Sequence, residues 1–143
     1  MIKIIVNNLY KHFEFKSKKI QYLCEEILIN HEYDEIKLSF IFSDDSELNS
    51  LKIKYFGEDV LTDVITFPIE NNKDLESDIY ISVERAIFNS KKNNITLNCE
   101  IIRLIIHGLL HLLGYDDKTK IDKDKMFKKQ EELIGKFANI NLL

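Results

Sequence analysis

Residues 97–117, LNCEIIRLIIHGLLHLLGYDD, decide the reading of this chain. Apolar residues fill most positions from Ile101 to Leu113, so a helix here is buried around most of its circumference, and Thr96 or Asn98 is placed to cap its start. Two histidines interrupt it. His107 and His111 are four apart, so on a helix they differ by about 40° in azimuth and about 6 Å in rise, and both imidazoles aim at one point. Gly114 can take a left-handed conformation, end the helix and turn the chain back, which brings Asp117 toward the same point. Two histidines and a carboxylate form a three-ligand set that leaves a fourth position for water, as in catalytic zinc sites.

A purely structural role for the two histidines is costly. Leu104, Ile105, Ile106, Leu109, Leu110, Leu112 and Leu113 surround them, and burying two unpartnered imidazoles costs several kcal/mol. A divalent metal removes that cost. Asp116 and Asp117 compete for the third ligand place; spacing favours Asp117 and leaves the other as a helix cap or an acceptor beside the site. In HExxH peptidases a glutamate general base follows the first histidine, and here that position is Gly108, which disfavours a peptidase. The same ligand set also suits non-haem Fe(II), so an iron enzyme or another metallohydrolase stays open.

Outward from this helix the chain alternates strand and helix signals. Residues 2–6 (IKIIV) read as a strand ended by Asn7 and Asn8, and 16–31 carry Ile20, Leu23, Cys24, Ile27 and Leu28 on one helical face. EIKLSFIFS alternates as a strand, and Ser43 and Asp44 can cap a helix over about 45–55. Strands follow at about 63–68 and 77–82, then a helix through VERAIFNSKK broken at Asn93 and Asn94. The last helix, 120–136, shows an apolar stripe at Ile121, Met126, Phe127, Leu133, Ile134 and Phe137. This order, β-α-β-α-β-β-α-α-α, predicts an α+β fold with a small mixed four-stranded sheet, about five helices, and the metal site at the end of a central helix, in a cleft against the TDVITFP strand. No repeat or Pro/Gly/Ser-rich linker divides the chain, so 1–143 is expected to be one domain.

Composition sets outer limits. At 143 residues, with 45% hydrophobic and 31% charged residues, one proline and four glycines, the chain has the balance of a globular domain rather than a disordered one. Its first residues lack both a signal-peptide pattern and an apolar span of membrane length, which predicts a cytoplasmic protein without a membrane partner. Cys24 and Cys99, 75 positions apart in no ligand-like spacing, are expected as buried reduced thiols rather than as a disulfide or metal ligands. The net charge of −4 argues against nucleic-acid binding by bulk positive charge, but it is uneven: 12 basic against 18 acidic side chains in residues 1–100, and 8 against 6 in 101–143. Lys118, Lys120, Lys123, Lys125, Lys128 and Lys129 form either a solvated helix face or a phosphate-contacting rim.

HGLLHLLGYDD resembles the HGxLHLxGYDH signature of the YbeY family of bacterial endoribonucleases, differing in kind only at its last position. The family segments TDVLSFP and GDIxIS are matched by Thr62–Pro68 and Ser77–Ser82, in the right order and over the whole chain. The resemblance implies a zinc-dependent, single-strand-specific endoribonuclease with one Zn2+ per chain. Its work would be ribosomal RNA maturation, notably the 16S rRNA 3′ end, and ribosome quality control, with ribosomal RNA and the ribosome or its proteins as partners. It also implies metal and catalytic roles for His107 and His111, and places Asp117 where the family has a third histidine. Aspartate binds zinc at much the same distance but adds a negative charge, making the bound water less acidic. Where the family segment YRGKDxPTDV carries an arginine, this chain has Phe56. Another cation such as Lys52, Lys54 or Arg85 then reaches the phosphate, or activity falls, or Phe56 stacks on an unpaired base, or it is packed in the core. Asp63 and Glu100 are candidates for orienting a ligand imidazole or the nucleophile, which is either water or the ribose 2′-hydroxyl. An assembly factor with a structural metal and slight catalysis is the alternative.

Overall fold

A computed structural model describes residues 1–70 and 73–143. Its elements run β1 (Ile2–Asn8), α1 (Ser17–Ile27), β2 (Glu35–Ser43), α2 (Asp45–Phe56), β3 (Val64–Glu70), β4 (Asp74–Ser82), α3 (Val83–Asn93), α4 (Leu97–Leu112) and α5 (Lys120–Phe137). This is the expected order. The four strands lie β1-β2-β4-β3, the first three parallel and β3 antiparallel at the edge, which makes the sheet mixed.

The period of two in β2 and β4 sorts the faces. Ile36, Leu38, Phe40 and Phe42 point one way beside Leu75, Ile79 and Ile81, and all are buried. Helix α4 packs on this face, because a Cβ built on Gly108 would lie 3.5 Å from Ile79 and 3.6 Å from Thr66 and Val64. The other face carries Phe67 and Tyr80, with α2 alongside: Tyr55 meets the Phe67 ring edge-on at 5.2 Å and Phe56 stacks on it at 6.0 Å. Helix α4 is central, with Ile101, Ile102, Leu104, Ile105, Ile106, Leu109 and Leu110 all buried. Among the described residues no single helix is long and apolar enough to cross a membrane.

Caps follow side-chain chemistry. Asp44, Ser82, Thr96 and Thr119 each accept a bond from the backbone N–H three residues on, so Thr96 rather than Asn98 starts α4. Asn98 instead holds the C-terminal tail, donating to the Ile140 carbonyl and accepting from the Leu142 N–H, both at 2.7 Å. Asn94 closes α3 in the left-handed conformation, φ 59°.

Four expectations are corrected. Asn7 and Asn8 do not end β1 but continue it, pairing with Ile41 and Phe42; Asn8 then makes the turn by accepting from the Tyr10 N–H at 2.9 Å. Strands β3 and β4 run beyond the apolar runs that signalled them, because antiparallel pairing satisfies backbone groups whatever the side chain. On α5 the buried positions are Met126, Gln130, Leu133 and Phe137, while Ile121 and Phe127 stay exposed. Both cysteines are free; Cys24 is buried as expected, but Cys99, in the first turn of α4, is only half-buried.

Candidate metal centre

The end of α4 carries the site. Leu113 is its last half-helical residue, and Gly114 follows at φ 100°; the Tyr115 N–H bonds the Leu110 carbonyl at 3.0 Å and the Gly114 N–H bonds that of His111 at 3.1 Å. These two bonds form a Schellman closure, and glycine takes its φ of 100° at no steric cost. The chain reverses there. Asp116 then accepts from the Lys118 N–H at 3.0 Å, and Asp117 faces back toward the helix.

The donor atoms converge. Nε2 of His107 and of His111 are 3.1 Å apart, Nε2 of His111 and Oδ2 of Asp117 are 3.8 Å apart, and one ligand atom from each residue lies within 4.8 Å of the others. Tetrahedral zinc with bonds of about 2.0–2.1 Å sets its ligands roughly 3.3 Å from one another, so small side-chain rotations close this triplet on an ion. Burial pushes the His107 imidazole below its ordinary pKa, which keeps it neutral with a lone pair to offer. The donor set therefore fits a divalent metal. Asp116 makes its own local turn and is not in the triplet.

Gln130 is the residue sequence reasoning missed. Its Oε1 lies 2.7 Å from His107 Nδ1, so the amide oxygen accepts the Nδ1 proton and leaves Nε2 as the free donor. A signal existed in the sequence, since position 130 falls on the buried stripe of α5, where a polar side chain needs a partner. The expected orienters act elsewhere. Glu100 is fully buried and holds the Arg103 guanidinium, with Nε–Oε1 at 2.7 Å, while Asn89 donates to both Glu100 and Asp63 at 3.2 Å. Arg103 also approaches Asp63 at 3.7 Å, and its bond to Glu100 raises the guanidinium pKa further. This network ties α3 and the residue before β3 to α4, one to two turns before His107.

The cations expected at the substrate are engaged elsewhere. Arg85 bonds Asp45 at 2.8 Å and lies over the Phe88 ring, Lys52 lies 4.7 Å from the centre of the Phe56 ring, and Lys54 lies over Tyr55. Phe56 is half exposed on the outer face of the sheet and is not a core residue. The cleft at His107 does not open against the TDVITFP strand, whose Val64 and Thr66 lie under Gly108. It opens instead between α3, α4 and α5, has a volume of about 440 Å³, and is lined by Lys92, Arg103 and Lys123 as well as His107 and Asp117. Of the lysine-rich segment, Lys123 faces this cleft, Lys125 lines a smaller hollow beside Asp116, and Lys129 pairs with Glu132.

A mixed-sheet α+β fold with a His-His-carboxylate triplet at the mouth of a cationic cleft defines a protein of the candidate metal-centre class. Residues 5–138 match the family described as Endoribonuclease YbeY. The chain belongs to that family. Among similar curated proteins, the Endoribonuclease YbeY of Amoebophilus asiaticus is 44% identical over 109 residues, covering 74% of each chain. That of Karelsulcia muelleri is 41% identical over 125 residues, covering 87% of this chain and 84% of the relative. The solution structure of TM1509 from Thermotoga maritima superposes with a TM-score of 0.62 at 28% identity, over 96% of this chain and 92% of that one.

Proposed function

We propose that this chain is a metal-dependent endoribonuclease that cuts single-stranded regions of ribosomal RNA in the cytoplasm, in maturation of the 16S rRNA 3′ end and in ribosome quality control. One zinc ion is held by His107, His111 and Asp117, with Asp117 taking the place of a third histidine. The observation that carries this reading is the convergence of those three donors at a cleft that also presents Lys92, Arg103 and Lys123. Family membership supports it, since the curated relatives bear the name endoribonuclease.

When bound, the ion supplies Lewis-acid stabilisation of the charge that builds on the phosphoryl oxygens. The chain supplies the rest. Gln130 fixes the His107 tautomer, the Glu100–Arg103–Asp63 network sets the position of α4, and the cleft lysines draw the phosphodiester backbone in. Gly108 faces the sheet, so no side chain at that position reaches the site as a general base. The test is cleavage of an unstructured RNA in zinc-containing buffer by the wild type and by His111→Ala, with circular dichroism showing that the variant is folded. Cleavage by the wild type alone is expected. Equal cleavage by both overturns the metal-dependent reading.

A further inference from the structure

Of the exposed apolar side chains that neither core nor metal triplet explains, Phe127 lies at the cleft beside His107. It is 62% exposed although its neighbour Met126 is buried, and it is off the stripe that docks α5. Yet it does not project at random. With Lys123 four residues before it on the same helical face, it lines the cleft that reaches His107 and Asp117, above a floor of Met126 and Gln130.

We propose that this cleft receives an unpaired nucleobase of the RNA strand next to the scissile phosphate, stacked on the Phe127 ring, with Lys92 and Lys123 contacting the flanking phosphates. The proposal rests on the endoribonuclease reading and names the part of the substrate that the site holds. Three observations carry it. The volume, about 440 Å³, lies in the range of pockets that enclose small organic groups. The charge is complementary: Lys92, Arg103 and Lys123 face Asp117 and Glu131, and a divalent ion at the donor triplet adds two further positive charges. No ion pair within 4.0 Å engages Lys92 or Lys123 among the described residues, whereas Arg103 is committed to Glu100. The phenyl ring offers a face rather than hydrogen bonds. A base can lie against it only when unpaired, and any base will do, so the cleft selects single strands without selecting sequence.

The chain contains no tryptophan, so Phe127→Trp places a single indole reporter at the proposed stacking position. The zinc-loaded variant is titrated with a non-cleavable single-stranded oligonucleotide and with one of equal length made of abasic positions. Quenching by the first and silence with the second are expected. Phe127→Ala, at an exposed position, should bind the same oligonucleotide roughly 5- to 150-fold more weakly, with KM rising more than kcat falls. Phe127→Tyr should restore binding, and zinc affinity should match the wild type in all three variants. Equal quenching by the abasic strand, or wild-type affinity in Phe127→Ala, overturns the proposal. Because these titrations need no cleavage, failure of wild-type RNA cleavage counts against the endoribonuclease reading separately, and the quenching result still decides the stacking.

Discussion

The Nδ1 atom of His107 and the Oε1 atom of Gln130 lie 2.7 Å apart, across the interface between α4 and α5. An amide oxygen only accepts, so it places the imidazole proton on Nδ1 and leaves the Nε2 lone pair directed at His111. Gln130 is itself buried, and its partner is what makes that burial tolerable. Gln130→Leu keeps the packing and removes the acceptor. Zinc affinity, measured by competition with a chromophoric chelator, should fall roughly 10- to 100-fold. Gln130→Glu keeps an acceptor and should retain affinity, and wild-type affinity in Gln130→Leu would contradict the tautomer argument.

Zinc should stabilise the folded chain by mass action. At free zinc 100-fold above its dissociation constant the gain is about 2.7 kcal/mol, which corresponds to a rise in Tm of roughly 5–10 °C for a chain of this size. Asp117 is half exposed, so Asp117→Ala should leave the metal-free Tm within about 2 °C of the wild type while removing most of the zinc-dependent rise. Scanning calorimetry with zinc and with chelator reads both quantities. An undiminished zinc shift in Asp117→Ala would remove Asp117 from the ligand set.

What could be read from the residues, and what could not, divides along physical lines. The 3.6 and 2.0 periods are local, so the nine elements and the convergence of His107, His111 and Asp117 were legible; the last needed only helix geometry and the Gly114 turn. The partners of Gln130 and Asn89 were not. Each acts through a partner on another element, and spacing along one helix carries no information about which side chain arrives from the next; Arg103 pairs with Glu100 on its own helix, but its approach to Asp63 ahead of β3 needs the fold. Arg85 and Phe56 misled for the same reason. Their residue types suit phosphate and base contacts, but tertiary packing gives Arg85 to Asp45 and Phe56 to Phe67.

The Arg85–Asp45 pair is a tether between α2 and α3, and its removal should be felt in stability rather than in catalysis. Asp45 also accepts from the Ser82 hydroxyl at 2.8 Å, so Asp45→Asn breaks a small charge-assisted cluster and should cost about 1–2 kcal/mol at neutral pH. The bond from Arg85 holds the Asp45 carboxyl below the ordinary carboxylate range. Its stabilising contribution is therefore complete above the unfolded value of about 3.9 and disappears as pH falls through the lower folded value. Urea denaturation should show wild type and Asp45→Asn converging in strongly acid buffer. Arg85→Gln should cleave RNA at the wild-type rate; a large loss of kcat would restore Arg85 to the substrate site.

Gly108 decides what chemistry the helix can be given. A Cβ at this position would make ordinary contacts of 3.5–3.6 Å with methyl groups of Ile79, Thr66 and Val64, so Gly108→Ala fits without displacing the sheet. Alanine also lowers the entropy of the unfolded chain, and the variant should be more stable by up to about 1 kcal/mol with zinc affinity unchanged. Gly108→Glu recreates the HExxH pattern but points its carboxylate into those same methyl groups, away from the imidazoles. Burying an unpaired carboxylate there costs several kcal/mol, enough to unfold a domain of ordinary stability. Denaturant titration of the two variants should therefore move in opposite directions. A folded Gly108→Glu protein that hydrolyses peptides would mean that α4 can rotate about its axis, which the packing of Gly108 against β3 and β4 opposes.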